Sequence, residues 1–581
     1  MFARLSTGRS QCQFGFPARV PASWALFVAL AGPTLLSGSD EPIAFTDVAA
    51  ELGVRFVHAG SPTTQKYLIE TMGAGVATLD YDNDGRLDLF FVNGAALSDA
   101  MSSGGPPPDK RDGRFHNRLY RQTPDRHFED TTSRAGVAGN RYGMGVAVGD
   151  YDNDGDADLY VTAYGGNTLY RNNGGGTFSD VTADAGVGAT GWSASAAFVD
   201  VDQDGWLDLF VTRYLEWSYE SNGFCGDRPP GHRAYCHPDR YKGVTSLLYR
   251  NDGGARFTEI GARAGIADAS GKSLGVAIAD FDHDGRIDIF VANDSVREFL
   301  FRNLGGARFQ EVGLAAGAAY DQHGRAFAGM GVVFDDQDND GWPDVLVTTL
   351  SNQLYANFRN ERAGTFNYAT HATGLDAITR LRSGWGLALI DADNDGWRDL
   401  LVAQGHVLDT VEITTPHIAY RQPLLIARNL QARFVDVSAT AGPAFSVPRA
   451  ARGLAVGDLD GDGRMDAVVN TLNGPAVVLR NVTKDAGHWI GVRLVGRRSN
   501  RDGLGATVEV TTDAGPTQMA TVNTTGSYLS ANDRTAHFGL GTASRVTSVR
   551  VRWPSGAVQV VGTPPIDQVL TITEAPAPRN P

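Results

Sequence analysis

The sequence predicts an all-β fold: a seven-bladed β-propeller with calcium-binding loops, followed by a small all-β C-terminal domain. Three observations carry that expectation. The string D-x-D-x-D-G-x-x-D occurs seven times, starting at Asp80, Asp150, Asp200, Asp280, Asp336, Asp391 and Asp458. Each copy lies between two short apolar runs, such as GVATLD before the first loop and LFFV after Asp88. Two more strand-like runs recur: one ends in Arg-Asn or a close variant, as in NTLYRN at 167–172, and one follows a glycine turn, as in TFSDVT. Short β-branched and aromatic runs bounded by Gly, Asp and Asn are strand signals. Repeated four-stranded units of this length describe a propeller.

The ends of the array imply closure. The chain enters with AFTDVA at 44–49, a fourth-strand run that precedes any first strand, and leaves after AVVLRN at 476–481. The N-terminal strand is therefore expected to complete the last blade and remove a free sheet edge. Loop-to-loop spacings are 70, 50, 80, 56, 55 and 67 residues. The extra length falls between strands two and three of blades one, three and six, at 94–116, 214–245 and 405–424. Such connections share one face of a propeller, so the metals are expected on one face and the decoration on the other.

The expected division of the chain is a signal peptide over 1–39, the propeller over 40–483, the β domain over 484–575 and a disordered tail over 576–581. Arg4, Arg9 and Arg19 precede an apolar run from Trp24 to Ala31, and Ser37, Gly38 and Ser39 follow. A basic stretch, a short apolar run and small residues read as a secretory signal, which places the mature chain in a secreted or periplasmic compartment. The run is shorter than the ~20 apolar residues of a membrane span, and no other stretch approaches that length. Ser39 stands where a lipid-modified cysteine would follow Leu-Ser-Gly, so no lipid anchor is expected. Of three cysteines, Cys12 falls in the signal. Cys225 and Cys236 share one insertion, where an oxidising compartment favours a local disulfide. The alternative is a metal pair with His232 and His237.

The loops are the strongest chemical signal. Calcium takes six to eight oxygens at roughly 2.3–2.6 Å, and carboxylates on alternate residues of a tight turn supply them. The expected ligands are Asp80, Asp82, Asp84 and Asp88; Asp150, Asp152, Asp154 and Asp158; Asp200, Asp202, Asp204 and Asp208; and Asp280, Asp282, Asp284 and Asp288. The later loops add Asp336, Asp338, Asp340 and Asp344; Asp391, Asp393, Asp395 and Asp399; and Asp458, Asp460, Asp462 and Asp466. An EF-hand would place a glutamate at position twelve. Here that position holds Phe91, Val161, Val211, Val291, Val347, Val402 or Val469, so these are not EF-hands. The loops contribute 28 of 66 acidic residues to a chain of net charge −15, and seven Ca²⁺ would offset nearly all of that charge. The ions are expected to be structural, because the sites repeat and none stands apart. The acidic balance also argues against nucleic acid or an anionic membrane as partner.

Residues thirteen or fourteen positions after each first aspartate begin the connections of the opposite face. These include Asn93, Tyr164, Arg213, Asn293 and Asp294, with His406 close by. Glu70 precedes the first strand on the same face, and Trp385 holds a similar place before blade six. A polar and aromatic ring at a propeller mouth is the expected ligand site; the competing reading is that these side chains satisfy loop backbones and plug the channel. No complete nucleophile–base set is present, so binding or adhesion is the expected role. The alternative is a calcium-stabilised enzyme acting on a glycan or secondary metabolite, with Glu70, Asp294 and His406 as acid–base candidates.

The repeats resemble the FG-GAP/VCBS type of integrin α-subunit propellers. HWIGVRLVGRRSNRDGLGATVEV, GSYLSANDRTAHFGLG and VRVRWPSG resemble an ASPIC/UnbV domain. With YLIETMGAGVATLDYDNDG, VANDS, and GHV followed by YRQP, the chain is similar over nearly all of 42–575 to the cartilage acidic protein family, including its secreted bacterial members. That resemblance implies a secreted calcium-binding propeller with a protein, glycan or matrix partner. The EGF-like module of some animal members is absent.

Overall fold

The computed structural model describes residues 42–576 apart from 100, 103–107, 230 and 363. The expected signal segment lies outside the described residues, as does 577–581 of the expected tail. Among the described residues, six sheets each run through four antiparallel strands in chain order, the fourth of them carrying a further short strand, Phe327–Ala328, and a seventh four-stranded sheet draws its outer strand from the N-terminal end of the described chain. The first sheet is Val76–Leu79, Asp88–Phe91, Arg118–Gln122 and Phe128–Asp130. The innermost strands of the seven are Val76–Leu79, Tyr142–Gly149, Ser193–Val199, Ser273–Ala279, Val332–Asp335, Gly384–Ile390 and Ala451–Gly457. Each packs on the next, and the last packs on the first, so the sheets close into a β-propeller. Phe45–Asp47 pairs antiparallel with Val477–Asn481, Phe45 opposite Asn481, and supplies the outer strand of the seventh sheet.

Every blade is covered on both faces by its neighbours. The second strands are therefore apolar along their length instead of alternating, and Asp88–Phe91 is buried at all four residues. Phe56 and Phe91 stack at 4.7 Å between the seventh and first sheets. After the outer strand the chain makes a single helical turn in four sheets: Thr132–Ala135, Thr182–Ala185, Gly261–Ala264 and Gly313–Ala316. These turns carry no apolar periodicity, and the strand pattern of the sequence does not announce them.

The C-terminal region forms two sheets, one ordered Ala536–Gly541, His488–Val495, Gln568–Thr573 and the other Gln518–Thr521, Thr507–Thr512, Val546–Arg552, Val558–Gly562. Its core of Ile490, Val492, Val508, Val549 and Trp553 is continuous with Tyr151, Phe198 and Leu209 of the propeller. The segment between Thr521 and Ala536 runs into the ring's axis. Ser527 exchanges backbone hydrogen bonds with Val332, Leu529 accepts from Val146 N, and Ala531 pairs with Val76 and Thr78. Ser527 Oγ donates to Leu454 O and accepts from Leu387 N, and Asn532 Oδ1 accepts from Val456 N. The inner strands present unpaired backbone groups to the axis, and a buried N–H or C=O without a partner is costly. The plug supplies those partners.

Candidate metal centres and the plugged axis

Each metal loop is shaped by its own backbone. Position four takes the left-handed region: Asn83, Asn153, Gln203, His283, Asn339 and Asn394 have φ between 55° and 61°. Position six is glycine, and Gly85 sits at φ 83°, where a side chain would be strained. The first aspartate accepts the amides of positions five and six, as in Asp84 N to Asp80 Oδ1 at 3.1 Å and Gly85 N to Asp80 Oδ2 at 3.0 Å. The ninth accepts Tyr81 N at 3.1 Å and, from the third strand, Gln122 N at 2.7 Å.

These bonds orient the carboxylates of positions one and nine, and that of position three lies beside them. In the loops beginning at Asp80, Asp150, Asp200, Asp280 and Asp336, one oxygen from each of the three lies within 4.8 Å of the others. One oxygen of Asp82, Asp152, Asp202, Asp393 and Asp460 is buried with no hydrogen-bond partner among the described residues. An unpartnered carboxylate oxygen is expensive to bury, and three carboxylates so close repel one another. Burial first, and the neighbouring aspartates after it, push Asp88 up to about 8 and Asp150, Asp200 and Asp336 up to about 7. A hard cation would relieve both costs, so the donor set fits one. Position five faces arginines through its second oxygen: Asp84 accepts Arg86 N through Oδ1 at 3.1 Å and turns Oδ2 to Arg86 and to Arg121, which also binds Asp82 Oδ2 at position three.

The seven loops are interlocked. Position four reaches forward: Asn83 Nδ2 donates to Gly155 O, Asn153 to Gly205 O, Gln203 to Gly285 O, Asn339 to Gly396 O and Asn394 to Gly463 O. The asparagine ending each third strand reaches backward. Asn303 Nδ2 donates to Val201 O of the preceding loop at 2.9 Å and to Ile287 O of its own at 3.1 Å. Asn172, Asn251, Asn360, Asn429 and Asn481 repeat this, and Gln122 closes the circle on Leu459 O.

The C-terminal domain lies on this face and covers the loops unequally. Over the sixth loop, Gly487 N donates to Asp393 O and Gly541 N to Asn394 O. A Cβ on Gly539 would meet Asp391 Oδ2 at 1.9 Å, so only glycine fits. Asp391 and Asp399 are held well above the usual carboxylate range, chiefly by burial and then by the neighbouring aspartates of the loop.

On the opposite face, the expected ring does not line an open mouth. Segment 60–72 and the described parts of the three insertions close over it. Asn222 Nδ2 and Arg233 Nη1 bond Gln65, Met101 N donates to Tyr67 Oη, and Thr71 Oγ1 donates to Val407 O. Cys225 and Cys236 are joined by a disulfide within this cap. Glu70 is fully buried and accepts from Thr63 Oγ1, Tyr67 N and Tyr235 Oη. Asn93 accepts from Ala59 N and Gly94 N and donates to Arg114 O and His116 O. Asn293 Nδ2 donates to Arg297 O, and Asp294 accepts from Tyr214 Oη. Trp385 Nε1 donates to Gly405 O, and His406 Nδ1 accepts Leu408 N. Tyr164, partly exposed, packs edge-on against Trp192 and Trp217 at 6.2 and 5.2 Å, and Arg213 Nη2 donates to Thr190 O. The plug joins this cluster from below: Tyr528 Oη donates to Met72 O at 2.7 Å, and its ring lies 4.9 Å from Trp385. Arg452, fully buried, lies 3.9 Å over the other side chain of the pair, Trp385.

Residues 80–161, 153–211, 241–291, 280–347 and 336–402 match the FG-GAP-like repeat, and 496–579 match the ASPIC and UnbV domain. The chain belongs to the FG-GAP-repeat family of cartilage acidic protein. Cartilage acidic protein 1 from Xenopus tropicalis is 24% identical over 344 residues, 57% of this chain and 48% of the relative. The human protein is 26% identical over 311 residues, 51% of this chain and 43% of the relative. The chain thus spans about half the length of these curated relatives. Among solved structures, YCF48 bound to D1 peptide aligns at 8% identity and TM-score 0.39, over 71% of this chain and 94% of that one. An Agrocybe aegerita lectin recognising terminal N-acetylglucosamine aligns at 16% and 0.36, over 63% and 81%.

In this FG-GAP propeller the sequence reading missed the asparagine clasps and the plug. The Arg-Asn run was visible as a strand ending, and its recurrence was the signal that the asparagine does one job in every blade. Nothing in GSYLSAND marks it as a segment of the ring's axis.

Proposed function

We propose that the chain is an exported propeller that binds Ca²⁺ in its repeated loops and uses the ion-stiffened ring to engage an extracellular protein, glycan or matrix partner. The observation that carries the metal reading is the cluster at positions one, three and nine, with its buried unpartnered oxygen. Calcium suits it because all donors are hard oxygens in a turn that can supply further carbonyls. The partner reading rests on the family and on the cap, which devotes three long insertions to one face. The catalytic alternative gains no support from Glu70, Asp294 and His406, since each is engaged by a different partner. Metal analysis of the purified chain, melting with and without chelator, and binding to protein and glycan arrays test the proposal. A melt unchanged by excess chelator would overturn the calcium assignment, and an array without signal would overturn the partner assignment.

A further inference from the structure

The C-terminal domain meets the propeller tightly over the sixth loop and loosely over the fourth and fifth. There a cavity of about 290 Å³ separates the metal loops from the sheet Gln518–Thr521, Thr507–Thr512, Val546–Arg552. That size is at the small end of ligand pockets, roughly 300–1,000 Å³. Its walls are polar where an interface that only packed would be apolar. Thr521, Thr507 and Arg552 stand directly opposite one another on three adjacent strands, forming one row across the sheet. Directly opposed side chains of neighbouring strands share a face at contact distance. Among the described residues, the Arg552 guanidinium makes no hydrogen bond or ion pair, and neither do the hydroxyls of Thr507 and Thr521. The next row is already spent, since Glu509 holds Arg550 at 2.9 and 3.1 Å. The facing wall includes Asp340 and His283, whose ring is fixed by stacking on Trp342 at 3.9 Å.

We propose that this cleft binds an acidic sugar residue, its carboxylate on Arg552 and its hydroxyls on Thr507 and Thr521. A free guanidinium fork matches a carboxylate in plane and is the strongest single recognition element in the cleft. Two unpaired hydroxyls beside it select a polyhydroxy ligand over a simple carboxylate. Asp280 and Asp340 belong to the fourth and fifth metal loops, so an anion enters most favourably when those loops are filled. The proposal rests on the extracellular-binding reading above and names the ligand class and the surface.

Calorimetric titration of glucuronate and galacturonate into the calcium-loaded full chain, with glucose and acetate as controls, tests it. A uronate should bind about tenfold tighter than either control, and Arg552→Gln should weaken it about tenfold, the scale of a lost charge-assisted hydrogen bond. Thr507→Val, nearly isosteric, should weaken it several-fold with an unchanged melt, and chelator should abolish it. Thr507→Val alone decides if Arg552→Gln does not fold. Uronates binding no tighter than both controls, or both variants binding as the parent does, would overturn the cleft. Array binding that persists in Arg552→Gln would overturn the cleft and leave the broader reading standing. An array silent for the parent protein would remove the broader reading itself.

Discussion

The two faces of the propeller are built by opposite means. The metal-loop face uses one solution many times: the same aspartates, the same left-handed turn and the same asparagine clasp, as at Asn172 and Asn303. The capped face uses solutions that occur once, such as the Cys225–Cys236 bridge, the Glu70–Tyr235 bond and Arg452 over Trp385. A repeated device spreads stability around the ring, while a single device concentrates it at one place. Perturbing the first should therefore unfold the molecule, and perturbing the second should loosen one region.

The largest effect expected is from chelation. A ligand at 100 times its Kd adds about 2.7 kcal/mol per site, so emptying several loops should lower Tm by more than about 10 °C. Calorimetry in Ca²⁺ and in excess chelator measures this, and an equal Tm would erase the contrast between the faces. The pH dependence should then invert. In the metal-free chain Asp88 is raised to about 8 from an ordinary 3.8, so the folded state keeps a proton that the unfolded chain releases. Metal-free stability should fall as pH rises from about 4 to about 8, whereas the loaded protein, with ionised ligands, should not lose stability over that window. Urea titrations at pH 5 and pH 8, each with and without calcium, give the sign.

Tyr528→Ala should come next. It empties a fully buried aromatic site and removes the bond to Met72 O, at a cost of about 4 kcal/mol. Because the plug touches both faces, denaturant unfolding should remain a single transition. Two separated transitions would show the C-terminal domain to be an independent unit. Asn303→Ala leaves two buried carbonyls without a donor and should cost about 3 kcal/mol. A loss under about 0.5 kcal/mol would show that the clasp adds nothing beyond the sheets. The smallest global effect is expected from Cys225→Ser. The bridge spans a separation of 11 residues, worth about 2–3 kcal/mol of chain entropy, and that loss falls on the cap. Proteolysis confined to 214–245 with little change in Tm is the expected outcome.

Much of the metal face was legible because its residues act locally. Asp80, Asp82 and Asp88 converge through a turn that Gly85 and Asn83 set within nine residues. Position five was legible as an acid and not as what it does, since the arginine it meets, Arg121, comes from the third strand. Asn93 shows the limit on the other face. Its place at the mouth follows from spacing, and its hydrogen bonds to Ala59, Arg114 and His116 follow only from where segments 59–60 and 114–116 fold over it. Position at a mouth does not mean exposure to solvent.

By itself the sequence determined the repeat, the strand order, the ring's closure by Phe45–Asp47 and the clustering of aspartates. All of these depend on short-range periodicity and on turn chemistry repeated until it is unmistakable. Only the tertiary structure decided that GSYLSAND fills the axis, that Gly539 seals the sixth loop, and that Thr507, Thr521 and Arg552 face the fourth and fifth across a polar cleft. Those contacts join residues hundreds of positions apart. They arise because the inner strands leave backbone groups unpaired at the axis and the second domain's apolar face must be covered, and neither demand writes a period into the chain.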